Sequence, residues 1–298
     1  MGKVASVDVV LLIDISESMT YDGTVKDPSE CNLIETTGNT PEGPVVYVGS
    51  CQPLLRVKEA AVEFVQQLYF PYDQVAVVTF DKTARTILLL SSNKADIIAA
   101  IKDLKVYEGE GVCPTGSPCR LYDAAGTYLT FGCQSWDEDA DPTPCTTTNI
   151  GSSLLKAGNV FATDERMAAL WVTILLTDGA PNSGVCPEST WSAPPFCRRH
   201  PSDPYVYVRE SSTSPDYDAM DYAHDMADFL GPGQHSLIFS IGLGAQAALP
   251  APVELLTYVA SDDVGRGLYY SAPDSTDESK IRDIFMAIAS NIATRLAK

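Results

Sequence analysis

Apolar runs of seven or eight residues alternate with amphipathic segments along most of this chain. Residues 7–13 form an almost continuous apolar run with one aspartate, which is typical of a parallel strand covered on both faces. Later runs of this kind are separated by segments whose apolar residues recur at helical spacing. The alternation predicts βαβ units and an α/β fold, doubly wound around a mostly parallel sheet.

The individual elements follow from the same two periodicities. The predicted strands span residues 7–13, 74–80, 84–90, 170–177, 236–242 and 267–271. The predicted helices span residues 54–69, 94–104, 150–162, 217–230, 253–259 and 277–296. Only a short turn separates the second and third strands, so we expect a hairpin that places one antiparallel strand at the edge of the sheet.

Three long stretches interrupt the alternation, at about residues 21–53, 107–147 and 180–216. All are rich in Pro, Gly, Ser and Thr, and compact domains rarely contain loops of this length without a function or an internal crosslink. The first and third follow strand ends, and the second precedes a helix that can reach the same edge of the sheet. We therefore predict a single domain over residues 1–298 with three insertions on its functional face.

The cysteines indicate an oxidising compartment. All eight lie in the three insertions, outside the predicted core elements, and no CxxC or HxxxH spacing suggests zinc. An even number of loop cysteines favours disulfides over free surface thiols. Sequence proximity favours Cys31–Cys51 and Cys186–Cys197. The middle four could pair in nested fashion or in sequence, as Cys113–Cys119 and Cys133–Cys145.

The net charge limits the partners. At −19, the chain would be repelled by nucleic acids and by anionic membranes, whereas cations and basic partners suit it. No apolar run approaches the roughly 18–20 residues of a membrane helix, and no signal-peptide pattern follows Met1. Together with the cysteines, this predicts an extracellular or cell-surface protein whose targeting or anchoring segment lies outside the sequence, with no direct membrane insertion in this segment.

Several oxygen-bearing side chains stand where predicted strands end or a predicted helix begins. Asp14 and Asp178 close two buried runs, and a buried carboxylate is costly unless something pairs with it. Ser16 and Ser18 follow the first aspartate at alternate positions, and Thr148 stands at a helix start. Carboxylates, hydroxyls and water suit Mg²⁺, Mn²⁺ or Ca²⁺.

The motifs DISES at 14–18, TNIG at 148–151 and LLTDG at 175–179, in this order, resemble a von Willebrand factor A domain with its metal-ion-dependent adhesion site. The resemblance implies a six-stranded sheet with one antiparallel edge strand. It also implies that serine and threonine hydroxyls bind the ion, that the aspartates bind it directly or through water, and that a partner's Asp or Glu carboxylate completes the shell. The matching residues are Asp14, Ser16, Ser18, Thr148 and Asp178, with Mg²⁺ as the expected ion.

Two neighbouring residues carry further expectations. Glu17, where many family members have glycine, is expected to point to solvent because its neighbours face the site. Gly179 is expected to allow a sharp turn that leaves Asp178 accessible.

Asp137, Asp139 and Asp141 have the spacing of a calcium loop, but Pro142 stands where such a loop has glycine, so a solvated acidic loop is the stronger interpretation.

Catalytic motifs are not evident. The histidines are His200, His224 and His235, and no GxSxG, HExxH or P-loop pattern occurs. We therefore predict a non-enzymatic adhesion module without catalytic residues. The closing segment from Gly267 to the C-terminal helix resembles bacterial surface and pilus-associated members of the family. The alternative function is a structural component of a surface appendage or pilus, and a hydrolase ranks third.

Overall fold

The structure is a computed structural model, and it describes most of the sequence. The described residues are 6–20, 28–33, 35–40, 43–49, 51–81, 83–107, 148–164, 166, 168–181, 183–185, 206–208, 219–274 and 277–296. The strands among them are β1 (Val7–Asp14), β2 (Glu35–Thr40), β3 (Gly43–Val48), β4 (Gln74–Phe80), β5 (Ala84–Ser91), β6 (Leu170–Thr177), β7 (Ser183–Val185), β8 (Val206–Val208), β9 (Leu237–Leu243) and β10 (Arg266–Ala272). The helices are α1 (Pro28–Leu33), α2 (Leu54–Gln67), α3 (Lys94–Lys102), α4 (Ile150–Asp164), α5 (Ala219–Asp228), α6 (Gly244–Ala247), α7 (Pro250–Ala260) and α8 (Glu278–Leu296).

Six strands form one sheet in the order β10-β9-β6-β1-β4-β5. All neighbouring pairs are parallel except β4 and β5, which pair antiparallel at the edge. The predicted fold class and the predicted edge hairpin are therefore confirmed. Strand β1 lies in the interior of the sheet, and all eight of its residues are buried, which explains its nearly continuous apolar sequence.

Successive residues of β1 point to opposite faces and supply two separate cores. Val9, Leu11 and Ile13 pack with α2, α3 and α8 on one face of the sheet. Val10 and Leu12 pack with α4, α5 and α7 on the other. Because both faces are covered by helices, functional side chains can reach solvent only at the edges where strands end.

Helix ends depart from the predictions by a few residues. The helix predicted over 217–230 is regular only in α5, because a wider π turn follows at Phe229–Gly233 and contains Pro232. The helix predicted over 253–259 is longer as α7, because Pro250 stands at its first turn, where proline fits. No helix in the described part of the chain is both long enough and apolar enough to cross a membrane.

Two of the insertions contain strands that periodicity did not predict. In the first, β2 and β3 pair antiparallel as a hairpin. In the third, β7 pairs antiparallel with β8. Strand β2 reads ETTGNT, which is rich in turn-forming residues and lacks an apolar alternation. The short β7 and β8 have three residues each, too few to show a period.

The first insertion is fastened to the body of the domain. A disulfide joins Cys31 to Cys51, the pair that sequence proximity favours. Both half-cystines are buried, and Cys31 lies on α1, although loop positions were expected. The Asn32 side chain donates to the Val106 carbonyl (2.8 Å) and accepts from its amide (3.0 Å). The other three predicted cysteine pairs lie outside the described residues.

A buried lysine makes a second set of contacts between the first insertion and the rest of the domain. The Lys58 ammonium donates to the carbonyl oxygens of Val48 on the hairpin and of Leu104 after α3, the latter at 2.9 Å. Burial lowers the pKa of Lys58 to about 8. Lys58 thus links the insertion to the segment at 104–107, which continues towards the carboxyl edge of the sheet.

Removing the disulfide should loosen this insertion and destabilise the domain. A crosslink between residues 20 positions apart restricts the unfolded chain, so the double variant Cys31→Ala, Cys51→Ala should lose about 3 kcal/mol of unfolding free energy. Urea unfolding measures the loss, and Val46→Ala, at an exposed hairpin position, serves as the control. A midpoint as high as that of the native chain would show that the hydrogen bonds alone hold the insertion.

Candidate metal centre

The sheet topology brings Asp14 and Asp178 together. Strand β1 pairs with β6 on one side and β4 on the other, so the chain winds outward in opposite directions from the β1–β6 pair. Asp14 is the last residue of β1, and Asp178 follows the last residue of β6. Ligand sites of open α/β sheets lie at this point, outside the carboxyl ends of the strands.

The loop after β1 folds back on its own aspartate. The Ser16 amide donates to Asp14 Oδ1 at 2.9 Å. The Ser16 and Ser18 hydroxyl oxygens lie 3.0 Å apart, and a short 3-10 turn begins at Glu17. The two alternating hydroxyls predicted to share one side of the loop are therefore in contact.

Hydrogen bonds from both strands connect the two aspartates to this loop. The Ser18 hydroxyl donates to Asp178 Oδ1 at 2.9 Å, across 160 positions of sequence. Since the Ser18 proton goes to Asp178, Ser16 donates its own proton to Ser18. On the other side, the Thr177 hydroxyl donates to Asp14 Oδ2 at 2.7 Å. Four of the predicted ligands thus form one connected group.

Thr148 reaches the same edge through its neighbour. The Asn149 amide donates to the Asp81 carbonyl, just past β4, at 2.9 Å. Asn149 also caps α4, because its Oδ1 accepts from the Ser152 amide at 3.0 Å. Thr148 itself is buried. The backbone therefore places the fifth predicted ligand at the carboxyl edge, two strands from Asp178 across β1.

Both aspartates are buried without a cationic side chain. In the described part of the chain, neither forms an ion pair. The pKa of Asp14 is raised to about 6, mainly by burial and to a smaller extent by the Asp81 charge, while the hydrogen bonds from Thr177 and Ser16 lower it. Burial, and then the charge of Asp14, raise the pKa of Asp178. Two carboxylates that repel each other in a buried position are what a divalent cation would stabilise.

A third buried carboxylate lies beside the group and is neutralised. Asp81 accepts from the Arg85 guanidinium at 2.7 Å and from the Thr83 amide at 2.8 Å. Sequence reasoning missed Asp81, and it also missed Thr177, which holds Asp14. The available signal was position: each stands at the end of a strand, within one residue of the predicted carboxyl edge.

Two expectations about neighbouring residues are wrong. Glu17 is buried, with 4% of its surface exposed, because the 3-10 turn ends the extended alternation that would have turned it outward. Gly179 does lie in a bend after β6, without a left-handed conformation. Asp178 is buried, with 8% of its surface exposed, so the expected accessibility of its carboxylate is wrong. Residues 137–142, the weak calcium loop, lie outside the described residues.

The donor set decides which ions fit. In the described segments, no three His, Cys, Asp or Glu side chains are arranged to hold a metal ion. The candidate centre instead combines two carboxylates with the hydroxyls of two serines and a threonine. All are oxygen donors, which suit Mg²⁺, Mn²⁺ or Ca²⁺ and disfavour zinc.

Comparison with protein families identifies one match. Residues 9–116 match the family model described as von Willebrand factor type A domain. The match includes most of β1, the loop with both serines, β4 and β5. No curated protein matches the chain in sequence.

Solved structures with this fold include bacterial pilus proteins. A mutant of the PilB minor pilin from Streptococcus sanguinis aligns with a TM-score of 0.62 at 16% identity, over 99% of this chain and 63% of that one. The von Willebrand domain of the type V pilus tip protein Mfa5 from Porphyromonas gingivalis aligns at 0.54 and 14%, over 98% and 97%. The pilus adhesin SpaC from Lactobacillus rhamnosus GG aligns at 0.54 and 12%, over 99% and 31%. At these identities the likeness concerns the fold, and the chain spans less than two-thirds of PilB.

Proposed function

We propose that this chain, which contains a von Willebrand factor type A domain, is a metal-dependent protein-binding module of the adhesion class. It captures a partner's Asp or Glu carboxylate through a divalent ion. The observation that carries the proposal is the Ser18–Asp178 hydrogen bond, because it unites the loop after β1 with the end of β6. The ligands in this proposal are Asp14, Ser16, Ser18, Thr148 and Asp178.

The ion supplies positive charge and an open coordination position. Mg²⁺ fits best, with Mn²⁺ and Ca²⁺ as alternatives, because all the donors are oxygens and only two are charged. The Ser16 and Ser18 hydroxyls, already in contact, offer lone pairs to an ion once their protons turn outward. Asp14 and Asp178 bind it directly or through water. The two negative charges then balance the ion, so a partner carboxylate supplies the next ligand.

The net charge, the disulfide and the structural neighbours support a surface location and a protein partner. PilB, Mfa5 and SpaC are named as a minor pilin, a pilus tip protein and a pilus adhesin. The Cys31–Cys51 disulfide suits an oxidising compartment. With a net charge of −19, the domain would repel nucleic acid, and a cation is needed before an acidic partner can approach. We assign no catalytic residue and no enzymatic activity.

A peptide probe tests the capture of a carboxylate. A capped Gly-Gly-Asp-Gly-Gly peptide should perturb the amide NMR signals of Ser16 and Ser18 in millimolar Mg²⁺, but not in EDTA. The same peptide with Asn in place of Asp should not, because a neutral amide oxygen is a weaker ligand for a hard divalent ion than a carboxylate is. The protein variant Asp178→Asn should lose the response. Equal binding of the Asp and Asn peptides would overturn the proposal.

The alternative is a structural or assembly component of a pilus, in which the ion mainly stabilises the fold. This alternative is retained because the chain shares its fold with a minor pilin. Chelation separates the two functions. A binding module loses the peptide response in EDTA while its far-ultraviolet circular dichroism stays native. A structural component instead unfolds at a much lower temperature in EDTA and shows no peptide response in either condition.

A further inference from the structure

Three basic residues lie on the β5 side of the metal centre, on or just after elements that lead to the carboxyl edge. Strand β5 begins at the carboxyl edge because it runs antiparallel to β4, and α3 returns the chain to that edge. Arg85 lies near the start of β5, and Lys102 and Lys105 lie at and beyond the end of α3. We call these three residues the basic rim.

Arg85 is the member of the basic rim whose position is best defined. Its Nη1 donates to Asp81 Oδ2 at 2.7 Å, and its guanidinium carbon lies 5.2 Å from the centre of the Tyr107 ring. Two contacts from different directions therefore hold the guanidinium. Its side chain nevertheless remains 41% exposed. A guanidinium has five N–H donors in a fixed fork, so one bond to Asp81 leaves donors for a further carboxylate.

Tyr107 and the residue before Asp81 both pair with the metal loop. The Ile15 amide donates to the carbonyl of Phe80, the residue before Asp81, at 2.9 Å. The Tyr107 amide donates to the Ile15 carbonyl at 2.7 Å. Ile15 stands between Asp14 and Ser16. Arg85 therefore lies at the side of the metal centre, because Phe80 and Tyr107 both pair with Ile15 of the metal loop.

We propose that Arg85 binds a second carboxylate of the partner, so that the segment recognised is acidic at two positions. This inference rests on the proposed function, in which the ion captures the first carboxylate. Arg85 is the specificity-determining residue, and Asp81 and Tyr107 are its positioning residues. The basic charges of Lys102 and Lys105 favour the approach of such a segment. A partner with one carboxylate binds through the ion alone.

Peptides with one and two aspartates test the inference. The probes are the capped Gly-Gly-Asp-Gly-Gly peptide and versions with a second Asp placed one to four residues further along. In Mg²⁺, at least one doubly acidic peptide should bind the native chain about three- to tenfold more tightly than the single-Asp peptide. Arg85→Gln should abolish this gain, while the single-Asp peptide still binds in Mg²⁺. Arg85→Lys should restore part of it, since a lysine keeps the charge but not the fork.

Controls separate recognition from folding. Arg282→Gln removes an exposed arginine from α8, where it pairs with Glu63, and should keep the full gain. If Arg85→Gln prevents folding because Asp81 loses its cationic partner, the double variant Asp81→Asn, Arg85→Gln removes both charges and should also lose the gain. A native chain that binds single- and double-Asp peptides equally overturns this inference and leaves the proposed function standing. Failure of every Asp peptide to respond to Mg²⁺ overturns both.

Discussion

Replacing Asp14 with asparagine should leave a protein that is more stable without metal and no longer responds to Mg²⁺. Burial raises the Asp14 pKa from 3.8 to about 6, so its charge costs the metal-free fold on the order of 2–3 kcal/mol at neutral pH. Asparagine carries no charge, and its Oδ1 can still accept from the Ser16 amide. The Thr177 hydroxyl can turn to the Gly179 carbonyl, 3.3 Å away. Metal affinity should fall by about a hundredfold or more, because one of two charged ligands is lost.

Thermal unfolding with and without Mg²⁺ measures both effects. For the native chain, an ion at about a hundred times its dissociation constant should stabilise the fold by about 2.7 kcal/mol. The Asp14→Asn variant should unfold at a higher temperature than the native chain in EDTA, and Mg²⁺ should not raise its midpoint. Asp283→Asn, at an exposed position on α8, should behave as the native chain does. An Asp14→Asn variant that Mg²⁺ still stabilises fully would exclude Asp14 from the metal centre.

The pH dependence of stability between about pH 4 and pH 6 should flatten when Mg²⁺ is added. Without metal, the folded chain holds the Asp14 proton up to about pH 6, whereas the unfolded chain releases it near the ordinary value of 3.8. The folded state therefore binds more protons between these values, and this contribution to stability falls as pH rises from about 4 to about 6. Asp178, whose pKa is also raised, acts in the same direction.

With saturating Mg²⁺ this slope should disappear, because the ion keeps the carboxylates ionised in the folded chain, as they already are in the unfolded chain. Metal affinity should fall by about tenfold for each pH unit below about 6, and more steeply where both aspartates take up protons. Calorimetric titration with Mg²⁺ across this range measures the slope, and the EDTA unfolding profile supplies the metal-free reference. Affinity that stays constant between about pH 5 and pH 7 would mean that neither aspartate releases a proton on binding.

The main sheet was predictable because the apolar residues of its strands and helices recur with a clear period. Strand β1 is buried on both faces and reads as one apolar run. The β4–β5 hairpin is predicted by a short turn between two apolar segments. The β2–β3 hairpin was not predictable in this way. Its stability comes from the disulfide, Asn32 and Lys58, which are distant contacts that no local pattern records.

The candidate metal centre was likewise predictable only in part. Asp14, Ser16, Ser18 and Asp178 could be proposed from their positions at strand ends, and the structure joins them by hydrogen bonds. The burial of Glu17 could not be predicted, because it depends on a 3-10 turn inside the loop. The role of Arg85 was also hidden, since it depends on the antiparallel direction of β5 and on Tyr107, which is 22 positions away in the sequence.

A crystal grown with Mn²⁺ and measured for anomalous scattering would test the central claim most directly. The predicted result is one anomalous peak at the carboxyl edge between β1 and β6, about 2.0–2.6 Å from the Ser16, Ser18 and Thr148 hydroxyl oxygens. Asp14 and Asp178 should contact the same peak directly or through one water. A well-ordered map with no peak there, in which Ser18 still donates to Asp178 and Thr177 to Asp14, would contradict the assignment.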